Sequence, residues 1–457
     1  MREDIELLSS YRLIPQPAIS WPIPWVQLDA AMEQAKNREN LPTGVLDALS
    51  RIQMHYEKEL GKDWHMTSIL RLNTAPPILR RFEDSSYNKI EKELRLELNL
   101  GNLYVSLGGG WRNKGQPHKF HYDQSYIAYP IAGWAIYAGY LSHWWGGGDD
   151  SALILSTSAR PYPKVGFRSL QPIRFKSKYL SWIPPFSVEM NIGRLDKNRS
   201  DGADHSWIVM QRIELAPFKG FTLGFHRSTH ICGKERKCSE QAWVQATLPV
   251  LGNTNTPGED ESDGELAFDL RYTNVIGKTA FHLYLQPYME DSFEAWSYLT
   301  GVKFAHPTSF GMFRLGLEYM DTSSWRLLDA VGGQHRVYGS TYRNNSYADG
   351  NTYLGRPLGG SLDGDARLVS ARASLTDKAS RRFGINLRRM DLNLGSRENR
   401  SNVTATRERI WQGQIEGYIP MREGDLRLFV THLSKKVTVF GYEHPRWSAG
   451  ISWHVRY

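Results

Sequence analysis

From about residue 65 to the last residue, much of the chain alternates apolar and polar positions with a period of two. Leu94-Arg-Leu-Glu-Leu-Asn-Leu100 keeps the alternation throughout. So do Leu266-Ala-Phe-Asp-Leu-Arg-Tyr272, Phe281-His-Leu-Tyr-Leu285, Phe313-Arg-Leu-Gly-Leu-Glu-Tyr319 and Leu426-Arg-Leu-Phe-Val430. One face of each is apolar; the other carries mainly Arg, Glu, Asp, His or Gly. Such strands suit a sheet with lipid on one side and a polar lumen on the other. They suit a one-sided soluble sheet equally well. The final segment separates the two. In Ala449-Gly-Ile-Ser-Trp-His-Val-Arg-Tyr457, the residues Ala449, Ile451, Trp453, Val455 and Tyr457 share one face and end on an aromatic ring. Outer-membrane barrels end in a strand of this form, so Ile451, Trp453, Val455 and Tyr457 read as a barrel-assembly signal. Long polar stretches, clearest at 253–264 and 338–365, alternate with tight turns such as 419–425, the usual asymmetry of such barrels. At roughly 9–11 residues per strand, the length allows roughly 16–20 antiparallel strands.

Residues 1–62 follow another rule. Leu13-Ile-Pro-Gln-Pro17 and Trp21-Pro-Ile-Pro-Trp25 are stiffened by proline, which excludes regular helix or central strand there. The spacing predicts a short helix over 27–36 and a second over 42–60, where Val45, Leu46, Leu49, Ile52 and Tyr56 recur at helical intervals. The expected organisation is an N-terminal helical, proline-rich element over 1–62 and a barrel over 63–457.

Composition sharpens this picture. Apolar residues make up 40% of the 457, and no run approaches the roughly 18 that a spanning helix needs. The chain carries 15 Trp, 23 Tyr, 17 Phe and 40 Gly, the mixture expected of aromatic girdles and tight turns. The formal charge of +8 is scattered and mostly arginine, which fits a polar lumen or an acidic ligand better than a nucleic-acid patch. The only two cysteines lie in Ile231-Cys-Gly-Lys-Glu-Arg-Lys-Cys238, without zinc spacing. A disulfide between Cys232 and Cys238 in an oxidising compartment is the simplest reading. The start has no apolar leader core, so the sequence reads as a mature form whose signal peptide has been removed.

The densest chemical constellation is Trp144-Trp-Gly-Gly-Gly-Asp-Asp-Ser-Ala-Leu-Ile-Leu-Ser-Thr-Ser-Ala-Arg-Pro161. Indole faces beside carboxylates are the components of a sugar site, which makes Trp144, Trp145, Asp149, Asp150 and Arg160 candidates. A girdle Trp pair beside a demanding glycine turn is the plainer alternative. The glycine-rich stretch 353–365 lacks a following helix and is no phosphate cradle. Its Arg356, with Arg343 and Arg367 nearby, could meet an acidic ligand. Paired acids also serve glycosidases, but adjacent Asp149 and Asp150 diverge on an extended chain. Gly-x-Ser-x-Gly is absent and the 14 histidines are dispersed. His226 and His230 share a strand face but stand ~13 Å apart, too far to ligate one metal. No catalytic residue, metal or cofactor is expected.

The Pro/Trp-rich helical start, the 144–161 segment and Gly-Arg-Pro-Leu-Gly-Gly-Ser at 355–361 together resemble the Wzi family of capsule-assembly outer-membrane proteins. The resemblance implies an all-β fold: a transmembrane antiparallel β-barrel of about 18 strands, with a small helical bundle at its periplasmic end and an obstructed lumen. It also implies a lectin-like, non-enzymatic role, binding exported acidic capsular polysaccharide or exopolysaccharide at the cell surface. Gly360 stands where the family pattern has His, which puts any role of that imidazole in doubt here. The other partners expected are outer-membrane lipid and lipopolysaccharide and the barrel-assembly machinery, with no nucleic acid, for a monomer. The competing function is a sugar-uptake or general diffusion porin, which has no need of the helical start.

Overall fold

The computed structural model describes residues 1–14, 20–36, 38, 41–82, 86–113, 119–197, 199–248, 262–290, 295–326, 336–343, 347–395 and 403–457. Most of the expected 253–264 loop, 344–346 of the 338–365 loop and 15–17 of the first proline segment lie outside them.

One sheet contains nineteen strands, of which Phe120–His121 is a two-residue extra; the other eighteen close the barrel. In chain order these are β1 (Trp64–Asn73), β2 (Ile90–Leu100), β3 (Leu103–Arg112), β4 (Tyr126–Ile131), β5 (Trp134–Gly139), β6 (Lys164–Ser169), β7 (Phe186–Arg194), β8 (Trp207–Phe218), β9 (Phe221–Ile231), β10 (Ser262–Ile276), β11 (Thr279–Glu290), β12 (Ala295–Thr308), β13 (Gly311–Arg326), β14 (Arg367–Asp377), β15 (Arg382–Leu392), β16 (Glu408–Met421), β17 (Gly424–Leu433) and β18 (Trp447–Arg456). Each pairs antiparallel with the next, and β18 returns to β1, with Thr67 opposite Arg456 and Asn73 opposite Gly450. Tyr457 exchanges backbone hydrogen bonds with Met66, so the terminal aromatic residue completes the seam.

The direction of the alternation identifies the solvent. Leu94, Leu107, Ile136, Leu317, Ile385, Ile415 and Ile451 point outward and are exposed, whereas Arg71, Glu93, Glu189, Arg212, Asp269 and Arg388 point inward and are buried. A water-soluble sheet would reverse this, because apolar side chains leave water and charges stay in it. The wall therefore faces lipid, with a polar interior. Trp111, Phe120, Trp411 and Trp447 ring one rim, and Trp64, Phe218, Phe310 and Tyr457 the other, as interfacial aromatics do.

The rims differ. At one, the connections 101–102, 132–133, 219–220, 277–278, 309–310, 378–381 and 422–423 are short; the segment 170–185 is longer. This turn end also receives the N-terminal residues. The opposite, loop end carries the long connections, including 140–163 and 327–366.

Helices α1 (Arg2–Ser10), α2 (Trp25–Lys36), α3 (Thr43–Leu60) and α4 (Glu240–Thr247), with two small hairpins that pair Thr352–Tyr353 with Arg356–Pro357 and Val437–Val439 with Tyr442–His444, complete the described elements. The second and third match the two expected from spacing, while α1 and α4 had no counterpart. Val45 and Ile52 of α3 are buried, joined by Ala48, but Leu46 is 48% exposed, so the packed face is narrower than the spacing indicated. Ile5, Leu8, Leu13, Leu28, Val45 and Ile52 form a cluster with the wall residues Ala280, Ala305 and Met312, which joins the helices to the barrel itself.

Candidate functional site

Helix α1 stands within the barrel. Its acidic residues meet a basic inner wall: Glu3 faces Arg372 at 3.3 Å and Arg382 at 3.5 Å, Asp4 accepts from Arg314 at 2.9 Å, and Glu6 accepts from Lys303 at 3.0 Å. Arg51 of α3 reaches back to Asp4 at 2.6 Å. Burial works to raise the Asp4 carboxyl pKa, but the Arg51 hydrogen bond and the Arg314 charge outweigh it and hold it below the ordinary range.

Loop 140–163 descends from the loop end to meet the N-terminal segment. Trp21 and Trp144 exchange backbone hydrogen bonds of 2.8 and 3.1 Å, and Phe82 lies edge-on to both rings. The Arg2 guanidinium sits 4.4 Å over Phe82 and donates to the Gly147 carbonyl at 3.0 Å. The glycine run follows from the wall it touches. A Cβ on Gly147 would lie 2.9 Å from Tyr284, and one on Gly146, at φ +148°, 2.9 Å from Gln286. Gln286 clamps the loop, accepting from the Leu153 amide at 2.6 Å and donating to the Trp145 carbonyl at 3.0 Å. Glu318 accepts from the successive Asp149 and Asp150 amides at 2.8 and 3.2 Å.

The two acids do diverge, as an extended chain requires. Asp149 binds Lys303 at 2.6 Å, whereas Asp150 receives a forked pair from Arg388 at 2.8 and 2.9 Å, with Arg81 at 3.4 Å. They share no reacting centre. Tyr342 and residues 358–361 bind the same loop. Tyr342 Oη donates to the Leu153 carbonyl at 2.7 Å and accepts from Gly360 N at 2.8 Å, and Ser361 Oγ donates to the Asp150 carbonyl at 2.9 Å. A Cβ on Gly360 would lie 2.8 Å from that Tyr342 hydroxyl. Any side chain there must displace Tyr342, which explains why glycine stands at the expected His position.

Trp144 and Trp145 are 1% and 0% exposed, so neither presents a face to an external sugar in this conformation, and neither lies in a girdle. They pack the plug. Trp144→Ala is expected to cost about 3–5 kcal/mol of stability while leaving glycan retention per folded molecule unchanged. Denaturation and retention measured on the same preparation check this, and weaker retention at full stability would contradict it.

Three candidate arginines are engaged by carboxylates. Arg160 binds Asp123 at 2.9 Å, Arg367 binds Asp321 at 3.0 Å, and Arg343 pairs with buried Asp363. Arg356 differs. Its guanidinium lies 3.7 Å over the Phe440 ring, Nε donates to the Ser158 carbonyl at 3.2 Å, and Nη2 has no partner among the described residues. No carboxylate among the described residues neutralises it. Burial and the charge of Arg80 lower its pKa to about 9. Half-buried Tyr353 and Tyr442 lie in the same loops as Arg356 and Phe440. A cavity reaching His444, in the hairpin 437–444 that also carries Phe440, runs along the inner faces of β15–β17 and is lined by Arg81, Arg382, Arg388, Arg427 and Glu416. The arginines of that cavity are paired with carboxylates, whereas the buried Nη2 of Arg356 is not, and an unneutralised guanidinium is chemistry for a carboxylate or other anion.

Sequence reasoning missed Glu318, Gln286, Arg388 and all of α1, because isolated polar residues on alternating strands carry no mark of what enters the lumen. His226 and His230 both face inward, to Asp269 at 2.7 Å and onto the Tyr347 ring at 4.0 Å. Cys232 and Cys238 form the expected disulfide.

Two known proteins bear comparison. An uncharacterised 55.8 kDa protein of the Klebsiella pneumoniae cps region is 22% identical over 278 residues, 60% of this chain and 53% of that protein. The chain thus aligns with about half the length of this curated relative. The solved structure of the Escherichia coli outer-membrane protein Wzi, described as a carbohydrate-binding β-barrel involved in group 1 capsule assembly, superposes with a TM-score of 0.81 at 18% identity, covering 99% of this chain and 97% of that one. The family profile described as "Capsule assembly protein Wzi" matches residues 73–444, far more than half of the 457, and the chain therefore belongs to the Wzi family.

Proposed function

We propose that this barrel binds an exported acidic polysaccharide at the cell surface and holds it there during capsule assembly, without catalysing a reaction. The observation that carries the reading is Arg356, a guanidinium stacked on Phe440 at the loop end with no carboxylate partner among the described residues. The carbohydrate binding described for Escherichia coli Wzi supports it. In this reading, residues 1–62 lie on the periplasmic side, the long loops face outward, and the exposed face of β18 serves the assembly machinery. The protein acts as a monomer in contact with outer-membrane lipid and lipopolysaccharide. The porin reading is disfavoured because α1 and loop 140–163 meet inside the lumen through Arg2 and Gly147.

Arg356→Ala is expected to weaken binding of an acidic capsular polymer about 10–100-fold, the worth of a charge-assisted hydrogen bond, with folding intact. Co-sedimentation with acidic and neutral polymers checks it. Unchanged binding by the variant, or equal binding of both polymers, would count against this site.

A further inference from the structure

We infer that the barrel carries a specific site for an anionic phospholipid on its outer wall at the turn end, built from β4–β7 and the 170–185 segment. Strands β4, β5 and β6 have six residues each, whereas no other barrel strand has fewer than nine. Six residues span about 20 Å, short of the roughly 25 Å apolar band typical of such barrels. The shortfall falls on the loop side, where β3 from Leu107 on has no partner in β4; at the turn end β4 runs on past Leu103 and exposes Tyr129 and Ile131 to lipid.

Here the outer surface is also concave. Ile131, Trp134, Ile136, Val165, Phe167 and Ile192 line a groove that is almost wholly apolar. Its floor leads directly into 170–185, because Leu170 N donates to the Gly133 carbonyl at 2.9 Å. That segment is the one long connection at a rim where the others have two to four residues. It contains Arg174, Lys176 and Lys178 and no acidic residue. Tyr179 and Trp182 are 75% and 76% exposed, beside exposed Phe175 and Leu180. The tip holds its own shape: Trp182 Nε1 donates to the Tyr179 carbonyl at 3.0 Å, and Ile183 N to the Leu180 carbonyl at 3.0 Å. The Trp182 ring is thus held in place, and Lys178 Nζ lies 5.0 Å over the Tyr179 ring, which sets cation and aromatic side by side.

Aromatic rings interleaved with cations are suited to headgroup depth, where the rings sit among glycerol groups and the cations meet phosphate. The groove takes an acyl chain and the three cations take a negatively charged headgroup. Charge favours this occupant over a neutral phospholipid, and the adjoining apolar groove favours it over a free anion. An acidic protein would fit the cations but would leave the groove unexplained.

The test uses the full chain in nanodiscs of phosphatidylcholine with graded phosphatidylglycerol of the same acyl chains, read by native mass spectrometry of retained lipid. The wild type is expected to retain phosphatidylglycerol at least about tenfold over phosphatidylcholine, since each cation near an anionic surface contributes roughly fivefold. Arg174→Ala/Lys176→Ala/Lys178→Ala should bring the preference close to unity. Val165→Trp, which fills the groove from a lipid-facing position, should reduce retention of both lipids. Heat-modified gel migration confirms that each variant is folded. A wild type without headgroup preference, or a triple variant that keeps it, overturns the site; the second result would assign the cations to a protein partner. Glycerol phosphate binding as tightly as the diacyl lipid would also overturn it, because the groove would then contribute nothing.

Discussion

Asp150→Ala is expected to loosen the 140–163 plug more than loss of any other charged side chain in it. Asp150 is buried, accepts a forked pair from Arg388 and lies 3.4 Å from Arg81. Its loss leaves two lumen guanidiniums facing each other without the acid between them. Breaking a buried pair from one side costs about 3–5 kcal/mol, because the surviving charge has lost its compensation. The lower end applies, since Arg388 keeps Gln412 and Gln414 at 3.1 Å and Arg81 keeps Glu416 at 2.7 Å. About 3 kcal/mol corresponds to a rise of roughly a hundredfold in local opening, read as hydrogen exchange at 151–158. Asp150→Ala/Arg388→Met should recover part of the loss, because it removes both charges. A single variant that exchanges like the wild type would show that the ion pair does not hold the plug.

The wall was legible in the sequence because period-two alternation reports directly on two different solvents. Leu94–Leu100 puts leucine outward and Glu93, Arg95 and Glu97 inward, and a slip by one residue would expose every charge to lipid. The closing strand was legible for the same reason. Helix α1 was not. Its nine residues offer only Ile5, Leu7 and Leu8 as apolar positions, too short a run to establish a helical period, and its acids read as solvent-facing until the basic wall that pairs them is known. The plug was half legible. Trp144 to Asp150 was visible as an unusual cluster, but whether indoles meet a sugar or a protein interior depends on where the loop points. Nothing local distinguishes the two. Asp123, Asp321 and Asp363 lie 37, 46 and 20 residues from the arginines they bind, so Arg356 could not be told apart from Arg160, Arg367 and Arg343 before the pairs were known. The position of Gly360 is instructive in the same way: its steric reason is Tyr342, a residue from elsewhere in the loop.

Removing residues 2–10 from the full chain should turn a closed barrel into an anion-selective pore. The helix brings Glu3, Asp4 and Glu6 to a wall carrying Lys303, Arg314, Arg372 and Arg382. Once the helix is gone, water fills its place and solvates those cations, so the barrel itself stays folded. This differs from a point substitution, which leaves a charge buried and dry. The same loss releases loop 140–163 from Arg2, whose guanidinium donates to the Gly146 and Gly147 carbonyls at 3.3 and 3.0 Å. In planar bilayers the wild type should carry no steady current at pH 7, whereas the truncated chain should show discrete steps with a reversal potential displaced toward the anion. Acid should act in the same direction on the wild type. Burial raises the Asp4 and Glu6 carboxyl pKa values, but Arg51 and Arg314 outweigh it at Asp4, and Lys303 and Arg2 at Glu6, so both end below their ordinary values. A carboxyl depressed in the plugged state stabilises plugging above its free pKa, about 4, and that contribution is lost as the pH falls through the lower, plugged-state value. Current that is absent at pH 7 should therefore appear in the wild type only below about pH 4, while the truncated chain conducts at both. If the truncated chain stays silent at both values, loop 140–163 seals the barrel alone and α1 is a brace, not a plug; if it conducts with cation preference, the basic wall does not line the pore.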